Sequence, residues 1–140
     1  MGFQFTRKLT IEWGHCDPAG IVFNPRFFEF FDWSTALLMQ AALGMAKVDM
    51  AAAYGIVGIP LVDTRANFLR PSRFGEEIEI ASIVTAVGRS SFEIGHKLFN
   101  NAQLAAEGHE KRVWTIRDAE SGKLKSHAIP EDVARKLTGA

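Results

Sequence analysis

The chain has 140 residues, 16 Lys plus Arg matched by 16 Asp plus Glu, and one cysteine. Such a length buries a substantial core in one domain, expected over residues 1–140. The even charge argues against a general nucleic-acid binder and leaves only a local basic cluster able to hold a phosphate. Cys16 alone cannot form an internal disulfide, which favours a reducing compartment. The first ten residues lack the apolar stretch of a signal peptide, so a cytoplasmic protein is expected.

Residues 3–13 alternate Phe3, Phe5, Leu9, Ile11 and Trp13 against Gln4, Thr6, Lys8, Thr10 and Glu12, a strand with one wet face. A loop at Asp17-Pro18-Ala19-Gly20 follows. Asn24 is a preferred N-cap and Pro25 a favoured first helical residue, so a helix is expected from Pro25 to near Gly44. Between Phe27 and Leu43 its apolar side chains point in nearly every direction, which predicts a helix covered on all sides. Glu29, Asp32, Ser34, Thr35 and Gln40 interrupt the run and argue against a membrane span. A short helix over residues 48–54 should stop at Gly55.

From Ile59 onward the pattern is that of strands. They are expected over residues 60–69, 78–87, 91–99 and 103–117, the last bent at Gly108, with a short edge over 125–129. Pro130-Glu131-Asp132 opens a final helix that Gly139 closes. One strand, then helices, then consecutive strands imply an α+β domain with an antiparallel sheet. The apolar helix asks for a curled sheet of about five strands wrapped around it. A free face or edge of that sheet predicts a dimer.

The chemistry concentrates in residues 15–34. A carboxylate, Asp17, lies seven residues before Asn24-Pro25, whose helix start offers free N–H groups and a positive dipole end to a developing anion. That pairing suits acyl transfer, one group attacking or activating water and the other holding an oxyanion. Asp17 could instead simply cap its own turn. Cys16 beside His15 is a possible nucleophile and base, set against a small buried hydrophobe. Asp32, amid Phe28, Phe31 and Trp33, faces solvent or an arginine, or marks one end of a substrate pocket. Phe23, Phe27, Phe28, Phe31 and Trp33 could form an aromatic wall or the helix core.

Arg89-Ser90-Ser91 reads as a solvated hairpin or as a phosphate grip, which Arg65, Arg70, Arg73 and Arg112 could join. His96 on an apolar strand face reads as a core histidine. The chain carries no G-x-S-x-G elbow and no nucleotide-binding glycine loop. His15, His96, His109 and His127 are scattered without metal-ligand spacing, so no metal is expected.

The stretch I-E-W-G-H-C-D-P-A-G-I-V-F-N-P-R-F-F-E-F-F-D-W-S resembles the active-site segment of the 4-hydroxybenzoyl-CoA thioesterase family in its Pseudomonas-type form. The resemblance is most specific from Ile11 to Asp32 and continues through Gly55-Ile56-Val57-Gly58-Ile59-Pro60 and Arg89-Ser90-Ser91-Phe92. It implies the hot-dog fold, a five-stranded antiparallel sheet wrapped around a long helix, with homodimers assembling to homotetramers. It implies hydrolysis of an aromatic acyl-CoA, 4-hydroxybenzoyl-CoA among the options, without cofactor, metal, nucleic acid or membrane. Asp17 would then be nucleophile or general base, and the Asn24 N–H would polarise the thioester carbonyl. Asp32 would lie near the aryl end, for which the aromatic wall that includes Phe23 offers contacts, while Arg89, Ser90 and Ser91 would grip coenzyme A phosphates at a subunit interface. His15, Asn24 and Ile59 depart from the family pattern and bear on the choice of acyl group. A short-chain acyl-CoA thioesterase and a non-catalytic acyl-CoA-binding hot-dog module are the alternatives, with a hydratase of the same fold behind them.

Overall fold

A computed structural model describes residues 2–139. Strand β1 (Gln4–Thr10) alternates as its sequence predicts, with the odd positions half-buried. It ends earlier than expected, because residues 13–15 coil into a short 3-10 turn in which the Glu12 N–H donates to His15 Nδ1 at 2.9 Å. Helix α1 (Asn24–Leu43) follows and closes on Gly44 at φ +67°, a left-handed cap that glycine adopts at little cost. Next come α2 (Lys47–Tyr54), then β2 (Leu61–Phe68), β3 (Glu77–Val87), β4 (Ser91–Asn100) and β5 (Gln103–Val113).

The expected 103–117 strand is in fact two. Trp114 is fully buried and its N–H leaves the ladder to donate to Ser90 O at 2.8 Å. Beyond it β6 (Thr115–Arg117) pairs with β7 (Leu124–Ser126), and α3 (Glu131–Thr138) ends the chain. Gly108 does not interrupt β5, since it stays in register with both Ala66 and His96. Its role is proximity: a Cβ there would stand 2.6 Å from the Phe31 ring.

The five long strands form one antiparallel sheet in the order β1-β3-β4-β5-β2. It curls around α1, the hot-dog arrangement anticipated above. Two apolar clusters fill the concave side. Phe27, Phe30 and Phe31 pack with Ile11, Ile78, Ile80 and Leu98, while Leu38, Met39 and Leu43 pack with Phe92, Ile94 and Trp114. Between the two lies a polar layer of Thr35, Ser82, His96, Glu110 and Arg112.

Helix α1 is not covered on every side, contrary to the sequence reading. Trp33 is 60% exposed, and Glu29 and Gln40 share that outer face. The sheet curls around one flank of the helix only. The edge strand β2 is equally uncovered, with Leu61, Val62 and Phe68 exposed. Among the described residues no single helix is long and apolar enough to cross a membrane.

Candidate active site

Residues 15–23 fold back on themselves as a miniature hairpin. The Phe23 N–H donates to His15 O at 2.9 Å, Cys16 bridges Val22, and the Asp17 N–H donates to Ile21 O at 2.9 Å. At the tip the Gly20 N–H reaches Asp17 O at 2.9 Å. Gly20 takes φ +83°, a backbone conformation that costs other residues. The half-buried Asp17 accepts the Ala19 N–H on Oδ1 at 2.9 Å, an Asx turn. Its Oδ2 has no partner among the described residues. The carboxylate is thus held by its own loop with one oxygen to spare.

The hairpin is bolted to the connection between β2 and β3 by Val22 N–H to Ser72 O at 2.9 Å and by a bridge from Ile21 to Arg73. It delivers the chain into α1. Phe23 occupies the cap position without a side-chain cap bond, so Asn24 is the first helical residue rather than the cap. Pro25 has no N–H, and the Arg26 N–H donates to Phe23 O at 2.8 Å. Among the described residues the Asn24 N–H therefore keeps no acceptor, and it carries the positive end of a 20-residue helix. An open groove of about 200 Å³ runs past it, lined by Ile21, Asn24, Phe27, Phe68 and Arg70.

The alternative nucleophile is already spoken for. The Cys16 thiol points to Glu12 O at 3.7 Å, and His15 spends Nδ1 on the Glu12 N–H. Nor do the aromatics form one wall. Phe27 and Phe31 belong to the core, whereas Phe23 and Trp33 stand 50% and 60% exposed on the surface.

Asp32 meets an arginine. Arg112 Nη2 donates to its Oδ1 at 2.7 Å. The Arg112 guanidinium also grips Glu110 twice, Nε to Oε1 and Nη2 to Oε2, both at 3.0 Å, and donates Nη1 to Ile59 O at 3.0 Å. Glu110 further accepts the Thr35 hydroxyl and lies 3.4 Å from His96 Nε2. Burial alone would push the Glu110 carboxyl up, but the hydrogen bonds from His96 and Arg112, the Arg112 charge and Thr35 outweigh it and hold it at about 2. Burial likewise opposes the Arg112 charge, and Glu110 and Asp32 more than restore it. His96 is the core histidine expected, stacked on Phe31 at 4.9 Å with Nδ1 2.7 Å from Ser82 Oγ.

The Arg89-Ser90-Ser91 turn joins β3 to β4. Its backbone is a staple: Arg89 O accepts the Ile129 N–H, Ser90 O the Trp114 N–H and Ser91 O the Gly88 N–H, at 2.7–2.8 Å. The Arg89 side chain is exposed. This turn lies at the Ser91 end of β4, while the Asp17 hairpin is tied to Ser72, which bonds Asn100 at the other end. Of the other arginines, Arg70 and Arg73 stand at the Asp17 end, Arg65 pairs with Asp63, and Arg112 is taken up by the buried layer.

Sequence reasoning missed that layer and one hollow. A mostly apolar cavity of about 120 Å³ lies between α1 and α2, lined by Met39, Gln40, Lys47, Met50 and Ile59 among others. The period-two placement of Gly108, Glu110 and Arg112 on one face of β5 was the available signal for the layer.

Residues 11–137 match the family profile of the thioesterase-like superfamily. The chain belongs to that superfamily. It is 28% identical over 138 residues to the 4-hydroxybenzoyl-CoA thioesterase of Pseudomonas sp. (strain CBS-3), covering 94% of this chain and 96% of the relative. It is 30% identical over 104 residues to the 1,4-dihydroxy-2-naphthoyl-CoA hydrolase of Synechococcus elongatus, 74% of each chain. A crystal structure of 4-hydroxybenzoyl CoA thioesterase mutant D17N complexed with 4-hydroxybenzoyl CoA superposes with a TM-score of 0.88 at 26% identity, covering 96% of this chain and 99% of the other. These superfamily members act on acyl groups with an aromatic ring next to the thioester.

Proposed function

We propose that this protein hydrolyses the thioester of an aromatic acyl-CoA to the free acid and coenzyme A. The observation that carries the reading is the hairpin that holds Asp17, with one unpartnered oxygen, on the segment feeding the unsatisfied Asn24 N–H of α1. Asp17 attacks the thioester carbonyl or deprotonates the water that does. The Asn24 N–H and the helix dipole stabilise the oxyanion, and coenzyme A leaves as the thiol. The acyl group extends toward Asp32, and Phe23 flanks the entrance. The relatives' aromatic substrates support the acyl class, 4-hydroxybenzoyl-CoA among them.

The complete site is built from two copies. Arg89, Ser90 and Ser91 grip the coenzyme A phosphates, yet within one chain they lie the length of β4 away from the Asp17 hairpin. A two-fold axis through the uncovered β2 edge would reverse the second chain and bring its Arg89 turn toward the first chain's helix start. The exposed backbone and apolar side chains of β2 support such a homodimer. The outward face of α1, with exposed Trp33, supports a further pairing of dimers into a homotetramer. One domain over residues 1–140, working in the cytoplasm, completes the proposal. A thiol-release assay across aryl, short-chain and long-chain CoA esters tests it, with the aryl esters expected to turn over fastest.

A further inference from the structure

We infer that Asn100 is a positioning residue for Asp17: from the end of β4 it holds the β2–β3 connection that carries the Asp17 hairpin, an inference that rests on the thioesterase reading above. The end of the β4–β5 ladder departs from regular geometry twice. Asn101 and Ala102, which join the two strands, take φ +52° and +60° and are the only non-glycine residues at positive φ among those described. A glycine would take the second of these positions at less cost. The ladder then slips: Leu98 faces Ala106 but Phe99 faces Leu104, so Ala105 is left over as a bulge. Bulges of this kind re-aim groups at the rim of a sheet. The Ala105 carbonyl accepts the Leu69 and Arg70 N–H groups at 2.8 and 3.0 Å, which fixes the start of the β2–β3 connection.

Asn100 fixes the rest of it. Its half-buried amide donates from Nδ2 to Ser72 Oγ at 3.1 Å and to Glu76 Oε1 at 3.3 Å. Glu76 Oε1 also accepts the Arg73 N–H, so the amide and the carboxylate together pin residues 72–76. Ser72 is fully buried, and its carbonyl takes the Val22 N–H at 2.9 Å, while Arg73 bridges Ile21. Val22 in turn bridges Cys16, the residue before Asp17. Hydrogen bonds of 3.1 and 2.9 Å thus link Asn100 through Ser72 to the hairpin. Asp17 takes its own bonds from within that hairpin, at Ile21 O and the Ala19 N–H. Where the hairpin sits therefore decides where the carboxylate points. A reacting group displaced by about 1 Å loses ~10²-fold in rate. Asn100 does not line the groove beside Asn24, so it sets kcat without touching substrate.

The test pairs kinetics on an aryl-CoA ester with amide hydrogen exchange over residues 15–23. Asn100→Ala should lower kcat about tenfold with KM within about twofold of wild type, and should speed exchange of the hairpin amides by about tenfold. Ser72→Ala removes the acceptor but keeps the carbonyl that holds Val22, and should show the same two effects. The double variant should be no worse than the poorer single one, because both changes break one link. Gly108→Ala, which strains the core beside Phe31 instead, should keep the wild-type kcat and hairpin exchange, and this separates positioning from a general loss of stability. A folded Asn100→Ala with wild-type kcat and exchange would overturn the inference, as would losses that multiply in the double variant. If Asn100→Ala fails to fold, Ser72→Ala decides alone, and wild-type behaviour there overturns it. A wild type that cleaves no CoA ester overturns the thioesterase reading, while the exchange rates still decide whether Asn100 holds the hairpin.

Discussion

Asp17 and Arg89 stand at opposite ends of the sheet. Asp17 is fastened beside Ser72 and Asn100, Arg89 beside Ser91, and the ten residues of β4 between them span about 30 Å. Helix α1 covers the same interval, so its start meets one end and its C-terminal half the other. This separation makes a site shared between two chains testable by mixing. Asp17→Asn and Arg89→Ala homo-oligomers should each be impaired on a CoA ester. Co-refolded mixtures should recover part of the activity, because some sites then hold a wild-type Asp17 from one chain and a wild-type Arg89 from the other. Activity equal to the average of the two parents would refute the shared site.

Arg89→Ala should raise KM for an intact CoA ester by about tenfold, the worth of one charge-assisted phosphate contact. The same acyl group on a truncated pantetheine thioester should be hydrolysed almost as before. An equal effect on both substrates would remove Arg89 from phosphate binding.

The β2 edge should be the seam of the dimer. Val62 is 56% exposed, so Val62→Asp has little to disturb within one chain. Light scattering should show the variant with half the mass of wild type or less, and with lost activity. An unchanged mass would move the seam elsewhere.

Gly108→Ala should destabilise the fold by about 1–3 kcal/mol, since the added methyl meets the Phe31 ring at 2.6 Å. Phe31 cannot yield without leaving its stack on His96. Chemical denaturation measures this, and a variant as stable as wild type would mean the ring has room to shift.

Glu110 should shape the acid limb of stability. Its folded carboxyl titrates at about 2 against an ordinary 4.5. The stabilisation is complete above about pH 4.5 and is lost as pH falls toward 2. Glu110→Gln should cost on the order of 3 kcal/mol at pH 7, with wild type and variant converging as the pH drops through that window. A gap that stays constant with pH would contradict the role.

Much of the fold was legible because it is written in local periodicity. The alternation in residues 4–10 and 91–99 and the Gly44 stop need no tertiary partner to be read. The errors arose where a distant contact overruled the local pattern. Trp114 leaves its strand for Ser90, and Gly108 serves the Phe31 ring rather than a bend. The face of α1 around Trp33 reads as core by composition alone, although the sheet wraps only the other flank.

The site divides the same way. The Asp17 turn and the start at Asn24-Pro25 lie within eight residues and follow from loop and helix chemistry. The grip of Arg112 on Asp32 joins residues 80 positions apart, and Glu110 meets Thr35 across 75. No spacing rule links them. Only the curl of the sheet over the helix brings the three charges together.

The central claim is that the Asp17 carboxylate performs the thioester cleavage. Single-turnover thiol release from 4-hydroxybenzoyl-CoA by Asp17→Asn, with circular dichroism matching wild type, tests it most directly. The account predicts a rate lower by ~10²–10⁴, with the ester still bound. Release at a near-wild-type rate would contradict it.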